Sequence, residues 1–483
     1  MTMKLTGQGL AYSDVLIRPR LSDIRSRHSV HLDPSTLIAR GLPSIKLPVL
    51  SANMDTVTEH RMAITMALYG GLGIIHRFMT PEEQANEVKK VKDLVRMIED
   101  DPPLVNAKTT IAEVINLQTK RNRGYVIVYS KDEFDGTFIG IATPRDFLTA
   151  PLNTPISKVM TPKNRVISIS KNTEIQKAIE VMKVNRIQKI PVIDQKGLLV
   201  GVYTLKDFSY KTQYPQASFD KMGRLMVGAA IGVQSPDIDR VHMLIEAGVD
   251  VLVLDIAHGG LIYTSEMLYR LKNKEKIKIP IIAGNIATAE GAKYIYDNGA
   301  DGIKVGVGPG YVCETRNVAG VGVPQITAIM EVAGVMAKKT NPIPIIADGG
   351  IREPGDLPKA IVAGASSVMI GSLFAGTRES PGEQMFENGT LKKLVRGMAS
   401  ASAFQKRKSI GGSTTNGEHY TPEGRAIATP YKGTVTKILF DFDGGLRSSM
   451  SYVGAHTISE MQTKGQFVIV TSAGASENKR NLT

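Results

Sequence analysis

The sequence is poor in cysteine and tryptophan: its 483 residues include one cysteine, Cys313, and no tryptophan. A single thiol excludes a disulfide bond within the chain and is typical of a reducing compartment. No apolar run approaches the roughly 18 residues of a membrane-spanning helix, and the first residues lack the apolar core of a signal peptide. We expect a cytoplasmic protein with no membrane partner. A peroxisome-like organelle is the alternative, although the last three residues are Asn-Leu-Thr and not the Ser-Lys-Leu signal.

Acidic residues are also fewer than basic ones. The chain has 59 lysines and arginines against 46 aspartates and glutamates, a net charge of +13. Such an excess favours anionic partners such as phosphates and nucleotides, although a generally basic, solvated surface is the simpler interpretation of composition alone. The basic residues are scattered, and no basic-aromatic motif of a nucleic-acid-binding protein occurs. We therefore do not expect nucleic acid as a partner.

Eight short apolar runs predict a parallel β-sheet. Each run is followed by a polar or glycine-rich stretch, and helical patterns fill most of the gaps between them. The runs are residues 48–50, 72–75, 225–230, 251–254, 279–282, 302–305, 343–346 and 367–370. Eight such α/β units favour closure into a (β/α)8 barrel, whose chemistry lies at the carboxyl ends of the strands. An open, doubly wound sheet is the alternative.

A tandem repeat interrupts this pattern between the second and third runs. Gly-Ile-Ala-Thr-Pro-Arg-Asp-Phe at 140–147 recurs as Gly-Val-Tyr-Thr-Leu-Lys-Asp-Phe at 201–208. A helix, a strand, a turn and a second strand precede each copy, which predicts two small αβ units side by side in the chain. The predicted organisation is barrel (1–96), inserted pair (97–215) and barrel (216–483).

The repeated boxes carry a threonine and an aspartate at the same spacing. They are Thr143 with Asp146, and Thr204 with Asp207. After a strand, such a pair can hold a ribose diol while N–H groups meet phosphate. The alternative is that each pair merely caps a helix.

Cys313 lies in a loop, residues 306–316, that follows the sixth predicted strand. The Gly-Pro-Gly sequence within this loop allows the backbone to approach a ligand closely, and the thiol would be partly exposed at the barrel mouth. The hydroxyl of Thr315 would lie beside the sulfur. A buried structural cysteine is the usual alternative, but the flanking residues are glycines and charged residues. We therefore take Cys313 as a candidate nucleophile.

Glycine-rich turns end the seventh and eighth predicted strands, at 348–350 and 370–372. Barrels bind phosphate on backbone N–H groups at this position, and the carboxylate of Asp348 can bind a ribose diol. Asp255 and Asn285 are further candidates at strand ends, with helix capping as the alternative role. Residues 376–445 show little apolar periodicity, which predicts an irregular lid, with a flap at about 399–430, or alternatively a disordered linker.

Several motifs together resemble the inosine monophosphate dehydrogenase / guanosine monophosphate reductase family. The similarity covers nearly the whole chain, and the inserted repeats resemble the family's CBS pair, which binds adenine or guanine nucleotides. The motifs are Leu-Ser-Ala-Asn-Met-Asp-Thr-Val at 50–57, Ala-Gly-Asn-Ile-Ala-Thr at 283–288, Gly-Pro-Gly-Tyr-Val-Cys-Glu-Thr-Arg at 308–316, Val-Ala-Gly-Val-Gly-Val-Pro-Gln at 318–325, Ala-Asp-Gly-Gly at 347–350, Arg-Gly-Met at 396–398 and Pro-Tyr-Lys-Gly at 430–433.

The resemblance implies a (β/α)8 TIM barrel with an inserted CBS pair, and it assigns roles to individual residues. Cys313 would attack the purine C2, with Thr315 as its partner and Glu423 as the flap carboxylate. The implied substrate contacts are Ser51, Asp348, Gly349, Gly350, Gly371, Ser372, Arg396, Gly397, Met398 and Ala399. The implied contacts of NADPH are Asp255, Asn285, Gly306, Val307 and Gly308, and the carbonyls of Gly308, Gly310 and Cys313 would hold K⁺.

Two positions depart from the family pattern. Tyr311 stands where a phosphate-binding serine is usual, and Val395 stands where a phosphate-binding tyrosine is common. The resemblance also implies a homotetramer closed by barrel contacts, which can become an octamer when ATP, GTP or GMP binds the CBS pair.

The two reactions of the family share a covalent adduct between the thiol and the purine. The dehydrogenase oxidises IMP with NAD and hydrolyses the adduct to XMP, using an Arg-Tyr pair on its flap as the base. The reductase expels ammonia from GMP with the help of a threonine and a glutamate, and hydride from NADPH then gives IMP.

No Arg-Tyr dipeptide occurs in this sequence, which resembles the reductases, whereas a CBS insertion is commoner in the dehydrogenases. Because the flap bears directly on the chemistry, we expect a GMP reductase. The alternatives are an IMP dehydrogenase in which Arg407 or His419 is the base, and a non-catalytic nucleotide sensor.

Overall fold

The computed structural model describes residues 7–27, 32–94, 102–121, 123–130, 137–170, 173, 175–194, 198–205, 210, 212–409, 421–471 and 473–474. The chain divides into two compact units, one formed by 1–94 with 216–483 and the other by 95–215. Among the described residues, no helix combines the length and the apolar character needed to cross a membrane.

The larger unit is built around a closed barrel of eight parallel strands. The barrel strands, numbered first to eighth in chain order, are Val49–Ser51, Leu72–Ile75, Gly228–Ile231, Val251–Asp255, Ile281–Ile286, Gly302–Val305, Ile345–Asp348 and Ser367–Ile370. The eighth strand pairs with the first, with Met369 opposite Leu50, and this pairing closes the ring. The predicted barrel is therefore confirmed, and the open sheet is excluded.

Three strands begin two or three residues later than their apolar runs, for local reasons. The fifth and seventh strands start after Pro280 and Pro344, which have no N–H to donate to a neighbouring strand. Residues 225–227 precede the third strand, and Leu225 and Met226 pair instead with Phe219 and Ser218.

Helices that cover the outside of the barrel carry an apolar stripe that faces it. In Asp237–Glu246, for example, Ile238, Val241 and Leu244 repeat at helical spacing and are buried. The helices of this unit are His60–Leu68, Pro81–Leu94, Asp237–Glu246, Ile262–Tyr269, Ala289–Asp297, Thr315–Val318, Gln325–Met336, Asp356–Val362, Ala401–Ser409, Val435–Val453 and Ile458–Lys464. Single turns of other helix types are Tyr12–Asp14 (3₁₀) and Arg270–Lys274 (π).

Two antiparallel sheets complete the larger unit. Val15–Ile17 pairs with Phe467–Ile469. Gln384–Glu387, Thr390–Arg396 and Ala426–Pro430 form a three-stranded sheet.

The irregular lid expected over 376–445 is thus largely wrong, because this range holds the three-stranded sheet, Ala401–Ser409 and the start of Val435–Val453. The alternation of apolar and polar residues typical of a strand is interrupted here because the sheet buries a lysine. The ammonium group of Lys393, a residue only 2% exposed, donates to the carbonyls of Thr377 and Ser380. Residues 410–420 of the predicted flap lie outside the described residues.

The smaller unit repeats one arrangement twice. Its first half has the strands Leu104–Asn106, Val126–Tyr129, Phe138–Ala142 and Thr161–Pro162, with the helices Ile111–Arg121 and Pro144–Phe147. Its second half has the strands Ile169–Ser170, Lys189–Ile193 and Leu199–Thr204, with the helix Ile175–Val184. Short 3₁₀ turns occupy Ile156–Lys158 and Lys163–Arg165.

The threonine–aspartate box of the first half caps a helix. The amide and hydroxyl of Thr143 both donate to Oδ2 of Asp146, at 2.6 and 2.8 Å, at the start of Pro144–Phe147. This contact favours the capping interpretation for the first box in the absence of a ligand. In the second box, Thr204 ends a strand, and Asp207 lies outside the described residues.

Candidate active site

A cavity of about 540 Å³ opens at the carboxyl ends of the barrel strands. Its wall includes the polar side chains that end the fourth, fifth and seventh strands, namely Asp255, Asn285 and Asp348. The volume lies within the range of pockets that bind small molecules. The position is the one at which (β/α)8 barrels carry their chemistry.

Cys313 lies in this cavity on a loop that is joined to two other segments. The amide of Glu314 donates to the carbonyl of Glu423 at 2.7 Å, and the amide of Glu423 donates to the carbonyl of Ala399 at 3.1 Å. These bonds hold the cysteine loop, the start of the flap and its end together. The thiol of Cys313 donates to Oγ1 of Thr315 across 3.3 Å. The sulfur therefore has a hydroxyl partner within the cavity.

A buried lysine unites the polar side chains of the cavity wall. The ammonium group of Lys304 lies 2.8 Å from Oδ2 of Asp348 and 3.3 Å from Oδ1 of Asp255, and it donates to Oδ1 of Asn285. Only 3% of the Lys304 side chain is exposed. Burial alone would lower the pKa of Lys304, but the charges of Asp348 and Asp255 outweigh it and raise the pKa above its usual value.

The same network keeps Asp255 ionised. Burial alone would raise the pKa of Asp255, but the charges of Lys304 and Arg77 outweigh it, so the pKa lies below the usual value. Oδ2 of Asp348 accepts hydrogen bonds from the ammonium group of Lys304 and from the side-chain amide of Asn285, the second at 2.9 Å. Among the described residues, Oδ1 of Asp348 has no hydrogen-bond partner, so it can accept a ligand hydroxyl.

Sequence reasoning missed Lys304 and Arg77, which both line the cavity. A signal was present in each case. Lys304 is the one charged residue in the buried sixth strand, and Arg77 follows the end of the second strand. A guanidinium nitrogen of Arg77 donates to the carbonyl of Asp255 at 3.4 Å. Arg77 is therefore a second positive charge, besides Lys304, near the carboxylate of Asp255.

Most of the predicted site residues meet in the cavity. Those that line it are Asp255, Asn285, Gly306, Val307, Gly308, Gly310, Cys313, Thr315, Asp348, Gly349, Gly397, Met398, Ala399 and Glu423. Ser51, Gly350, Gly371, Ser372 and Arg396 lie outside this lining. The hydroxyl of Ser51 is buried and accepts a hydrogen bond from Thr58 at 2.8 Å. The threonines and aspartates of the repeats belong to the other unit.

Arg396 forms an ion pair with a carboxylate of the protein. Its Nε lies 3.1 Å from both oxygens of Asp55, and a second guanidinium nitrogen also donates to this buried carboxylate. Burial alone would raise the pKa of Asp55, but the contacts with Arg396 lower it below its usual value. The contribution that the structure shows for Arg396 is to position the cavity residues Gly397, Met398 and Ala399.

The two residues that depart from the family pattern point away from the cavity lining. Val395 is buried in the three-stranded sheet opposite Ile427. Tyr311 is 60% exposed, and the guanidinium carbon of Arg425 lies 5.3 Å from the centre of its ring. Val395 has no hydroxyl, and the phenolic side chain of Tyr311 is not part of the cavity lining.

The turn after the seventh strand requires glycine. Gly349 and Gly350 have φ angles of +89° and +83°, in the left-handed region that residues with a Cβ rarely adopt. A Cβ on Gly350 would also lie 3.2 Å from the ring of Tyr12. The turn therefore presents bare backbone beside Asp348, as a phosphate-binding turn must.

The loop does not form a ready site for a monovalent cation. The carbonyl of Gly310 already accepts a hydrogen bond from the amide of Cys313, at 3.1 Å. The side chain of Arg316 lies against Gly308, with Nε 2.8 Å from where a Cβ would stand. This positive charge opposes the binding of a second cation. The residues present therefore do not fit K⁺. Among the described residues, no group of three or more His, Cys, Asp or Glu side chains could hold a metal ion.

The residues predicted for a nicotinamide cofactor fit it better. The ionised carboxylate of Asp255 on the cavity wall is an acceptor suited to a carboxamide N–H. Gly306, Val307 and Gly308 line the cavity, and the two glycines have φ angles of +152° and +86°. Both polar ends of Asn285 are occupied, by Gly306, Asp348 and Lys304. Asn285 therefore positions its neighbours.

Comparisons with known proteins agree on one family. The family model described as "IMP dehydrogenase / GMP reductase domain" matches residues 9–480. The chain is 43% identical over 479 residues to the inosine-5'-monophosphate dehydrogenase of Nitrosopumilus maritimus, covering 98% of both proteins. It is 42% identical over 481 residues to the GMP reductase of Leishmania donovani, covering 98% of this chain and 96% of that protein.

A similar solved structure is that of a cysteine-to-alanine variant of GMP reductase from Trypanosoma brucei, in complex with guanosine 5'-monophosphate. Its TM-score is 0.87 at 39% sequence identity, with 99% of this chain and 98% of that chain covered. Relatives of both names are thus almost equally similar to this chain.

Proposed function

Because the chain belongs to the IMP dehydrogenase / GMP reductase family, an oxidoreductase family that uses a nicotinamide cofactor, we propose that it is an NADPH-dependent GMP reductase. The observation that carries this proposal is that Cys313, Thr315 and Glu423 line one cavity, in a chain with no Arg-Tyr pair. The GMP bound in the Trypanosoma brucei structure supports a guanine nucleotide as the ligand.

The nucleotide is held along the cavity wall. Oδ1 of Asp348 accepts the ribose hydroxyls, because Lys304 and Asn285 occupy the other oxygen. The turns after the seventh and eighth strands receive the phosphate on their N–H groups. Met398, positioned through the Arg396–Asp55 pair, contacts the base. The carboxylate of Asp255 receives the carboxamide of NADPH.

The reaction begins at the thiol. Cys313 transfers its proton towards Thr315, which lies 3.3 Å away, and the sulfur adds to C2 of the purine. Thr315 relays that proton to the carboxylate of Glu423, which returns it to the amino group as the C2–N bond breaks and ammonia leaves. NADPH, when bound, supplies the hydride that adds to C2. The C2–sulfur bond then breaks, which releases IMP and a thiolate, and the thiolate takes up a proton from solvent to restore the thiol.

A dehydrogenase is the second candidate, and one observation favours it. Arg407 lines the cavity, so a guanidine is within the site even though no tyrosine follows it in the sequence. In this alternative, Arg407 activates the water that hydrolyses the adduct. His419, the other predicted base, lies outside the described residues.

Two parallel assays separate the candidates. Purified protein is incubated with GMP and NADPH and, separately, with IMP and NAD, and nicotinamide absorbance and product nucleotides are followed. We expect oxidation of NADPH with equimolar IMP and ammonia, and little XMP. XMP formation at a comparable rate would identify a dehydrogenase, and binding of nucleotide without turnover in either assay would indicate a sensor.

Replacing Glu423 with glutamine should impair ammonia release more than hydride transfer, since only the first step needs a proton relay. A positioned acid or base contributes about 10²–10⁴-fold. Exchange of labelled ammonia into GMP measures the first step, and single-turnover oxidation of NADPH measures the second. Glu383→Gln, an exposed position outside the cavity lining, is the control. An unchanged exchange rate would make Glu423 a structural residue of the flap.

We also propose that purine nucleotides regulate a homotetramer through the repeated unit, acting as a CBS pair. A ligand shifts an assembly equilibrium only by its differential affinity for the two states, and Asp207 should supply part of that affinity through the ribose. Asp207→Ala should therefore blunt the effect of ATP or GTP on rate and particle size. Basal catalysis should stay near normal because the catalytic cavity is formed within the barrel unit. A wild-type protein that responds to no purine nucleotide contradicts the proposal.

A further inference from the structure

Lys432 is fastened to the turn that follows the eighth barrel strand. Its backbone amide donates to the carbonyl of Gly376 at 2.9 Å, and its ammonium group donates to the carbonyls of Ser372 and Leu373, at 2.7 and 3.3 Å. The segment that carries Lys432 comes from the end of the three-stranded sheet. A residue distant in sequence from the eighth strand therefore places a positive charge against residues 371–376.

The charge of Lys432 is not matched by a carboxylate. Among the described residues, its ammonium group donates to these two carbonyls and forms no ion pair. Burial of the half-buried side chain lowers the pKa of Lys432 below its usual value, with no acidic neighbour to raise it. Lys392, by contrast, pairs with Glu387 at 2.7 Å. A half-buried cation without a counter-ion is unfavourable unless an anion binds beside it.

Two buried cations in or beside the cavity wall already have carboxylate partners. Lys304 is shared by Asp255 and Asp348, and Arg396 is paired with Asp55. These pairs bring little net positive charge to a bound phosphate. Lys432 retains its full charge next to the turn.

The turn beside Lys432 is one of the two that a barrel uses for phosphate. Gly371 is closely packed, since a Cβ there would lie 2.9 Å from Sδ of Met54. The amides of Phe374 and Ala375 both donate to the carbonyl of Gly371, at 3.0 and 2.9 Å. The turn is therefore compact, and a charge bound to its carbonyls remains close to whatever binds its N–H groups.

We infer that Lys432 is a positioning residue for the substrate phosphate, an inference that rests on the proposed nucleotide substrate. Lys432 fixes the carbonyls of Ser372 and Leu373, which orients the turn, and its unmatched charge offsets part of the charge on the phosphate dianion. It contacts neither the base nor the reacting C2. Its contribution is to the affinity for nucleotides over nucleosides.

The test compares nucleotides with nucleosides. Dissociation constants of GMP, IMP, guanosine and inosine are measured by titration calorimetry for wild type, Lys432→Met, Lys432→Gln and Lys432→Arg. We expect GMP and IMP to bind about tenfold more weakly to the Met and Gln variants, as for one partly screened charge near a dianion. Guanosine and inosine should bind as to wild type, and the Arg variant should recover most of the loss. Lys437→Met, which removes an exposed charge, is the control.

Each other outcome decides against the inference. Equal weakening of nucleotides and nucleosides would show that Lys432 only holds the turn in place, and unchanged nucleotide affinity would show that its charge has no role. The Gln variant retains a hydrogen-bond donor, so the charge is tested even if the Met variant folds poorly. A wild type that binds neither GMP nor IMP would overturn the proposed function, and this inference with it. Normal nucleotide binding by wild type and both neutral variants would overturn the inference alone.

Discussion

Replacement of Cys313 with alanine will lower turnover by more than about 10⁴-fold, as the loss of a nucleophile typically does, and will leave nucleotide affinity nearly unchanged. The proposed reaction cannot proceed without the sulfur, because both the loss of ammonia and the addition of hydride occur on the adduct. Binding should survive because Asp348 and the glycine turns hold the ribose and phosphate without the thiol. Steady-state rates with GMP and NADPH, together with calorimetric titration of GMP, measure the two effects.

The chain offers a clean control for this experiment. Cys313 is its one cysteine, so an alkylating reagent that modifies thiols labels a single position, and mass spectrometry reports the extent. Labelling should abolish turnover in proportion, and saturating GMP should protect. Thr315→Val retains the nucleophile and tests its partner separately. Turnover by Cys313→Ala within tenfold of wild type would contradict covalent catalysis.

Replacement of Lys304 with methionine will destabilise the barrel unit and weaken nucleotide binding together. Removing one partner of a buried ion pair costs about 3–5 kcal/mol, because the charge left behind is uncompensated, and here two carboxylates are left. Asp255 and Asp348 would then repel each other across the cavity. Urea unfolding followed by circular dichroism measures the free energy of unfolding, and GMP titration measures binding.

Two further variants make this result specific. Lys392→Met removes the partly exposed partner of the exposed Glu387 and should change stability by no more than about 1 kcal/mol. Lys304→Met combined with Asp255→Asn should recover part of the loss, because one uncompensated charge is gone. A Lys304→Met protein as stable as wild type would show that the network carries little stability.

The stability of the two proteins should also depend differently on pH. In wild type the pKa of Asp255 lies below its usual value, so its contribution is present above the unfolded-state pKa of about 3.9 and is lost as pH falls through the folded-state value. Without Lys304, burial would raise the folded-state pKa of Asp255. Its protonation would then stabilise the variant as the pH falls from the raised folded-state pKa towards the unfolded-state value, a range in which the contribution of Asp255 to wild-type stability does not change.

The barrel could be predicted because its strands are buried on both faces. Such strands appear as short apolar runs, and the polar or glycine residue after each run marks the carboxyl end where the site must lie. Asp255, Asn285, Cys313 and Asp348 were found this way, and all four line the cavity. The repeat within 97–215 was likewise visible as a recurring string of residues.

The three-stranded sheet could not be predicted in this way. Its strands alternate weakly, and its buried Lys393 is satisfied by carbonyls from residues 377 and 380 that no local pattern announces. Arg396 presented the same difficulty. Its partner Asp55 lies in a loop after the first strand, more than 300 residues away in sequence, so the ion pair could not be predicted.

The sequence by itself determined the order of barrel strands, the place of the insertion, the candidate nucleophile and the absence of an Arg-Tyr pair, since these depend on residue type and local periodicity. Only the tertiary structure decided the electrostatics of the site. In the sequence, Lys304 is a single charged residue within an apolar strand. In the closed barrel, Asp255 and Asp348 both lie next to it. Nothing in the sequence distinguishes Lys432 from other lysines, but in the folded protein it lies against the turn after the eighth strand. Charge interactions depend on distance through space and on exclusion of water, and neither can be read along the chain.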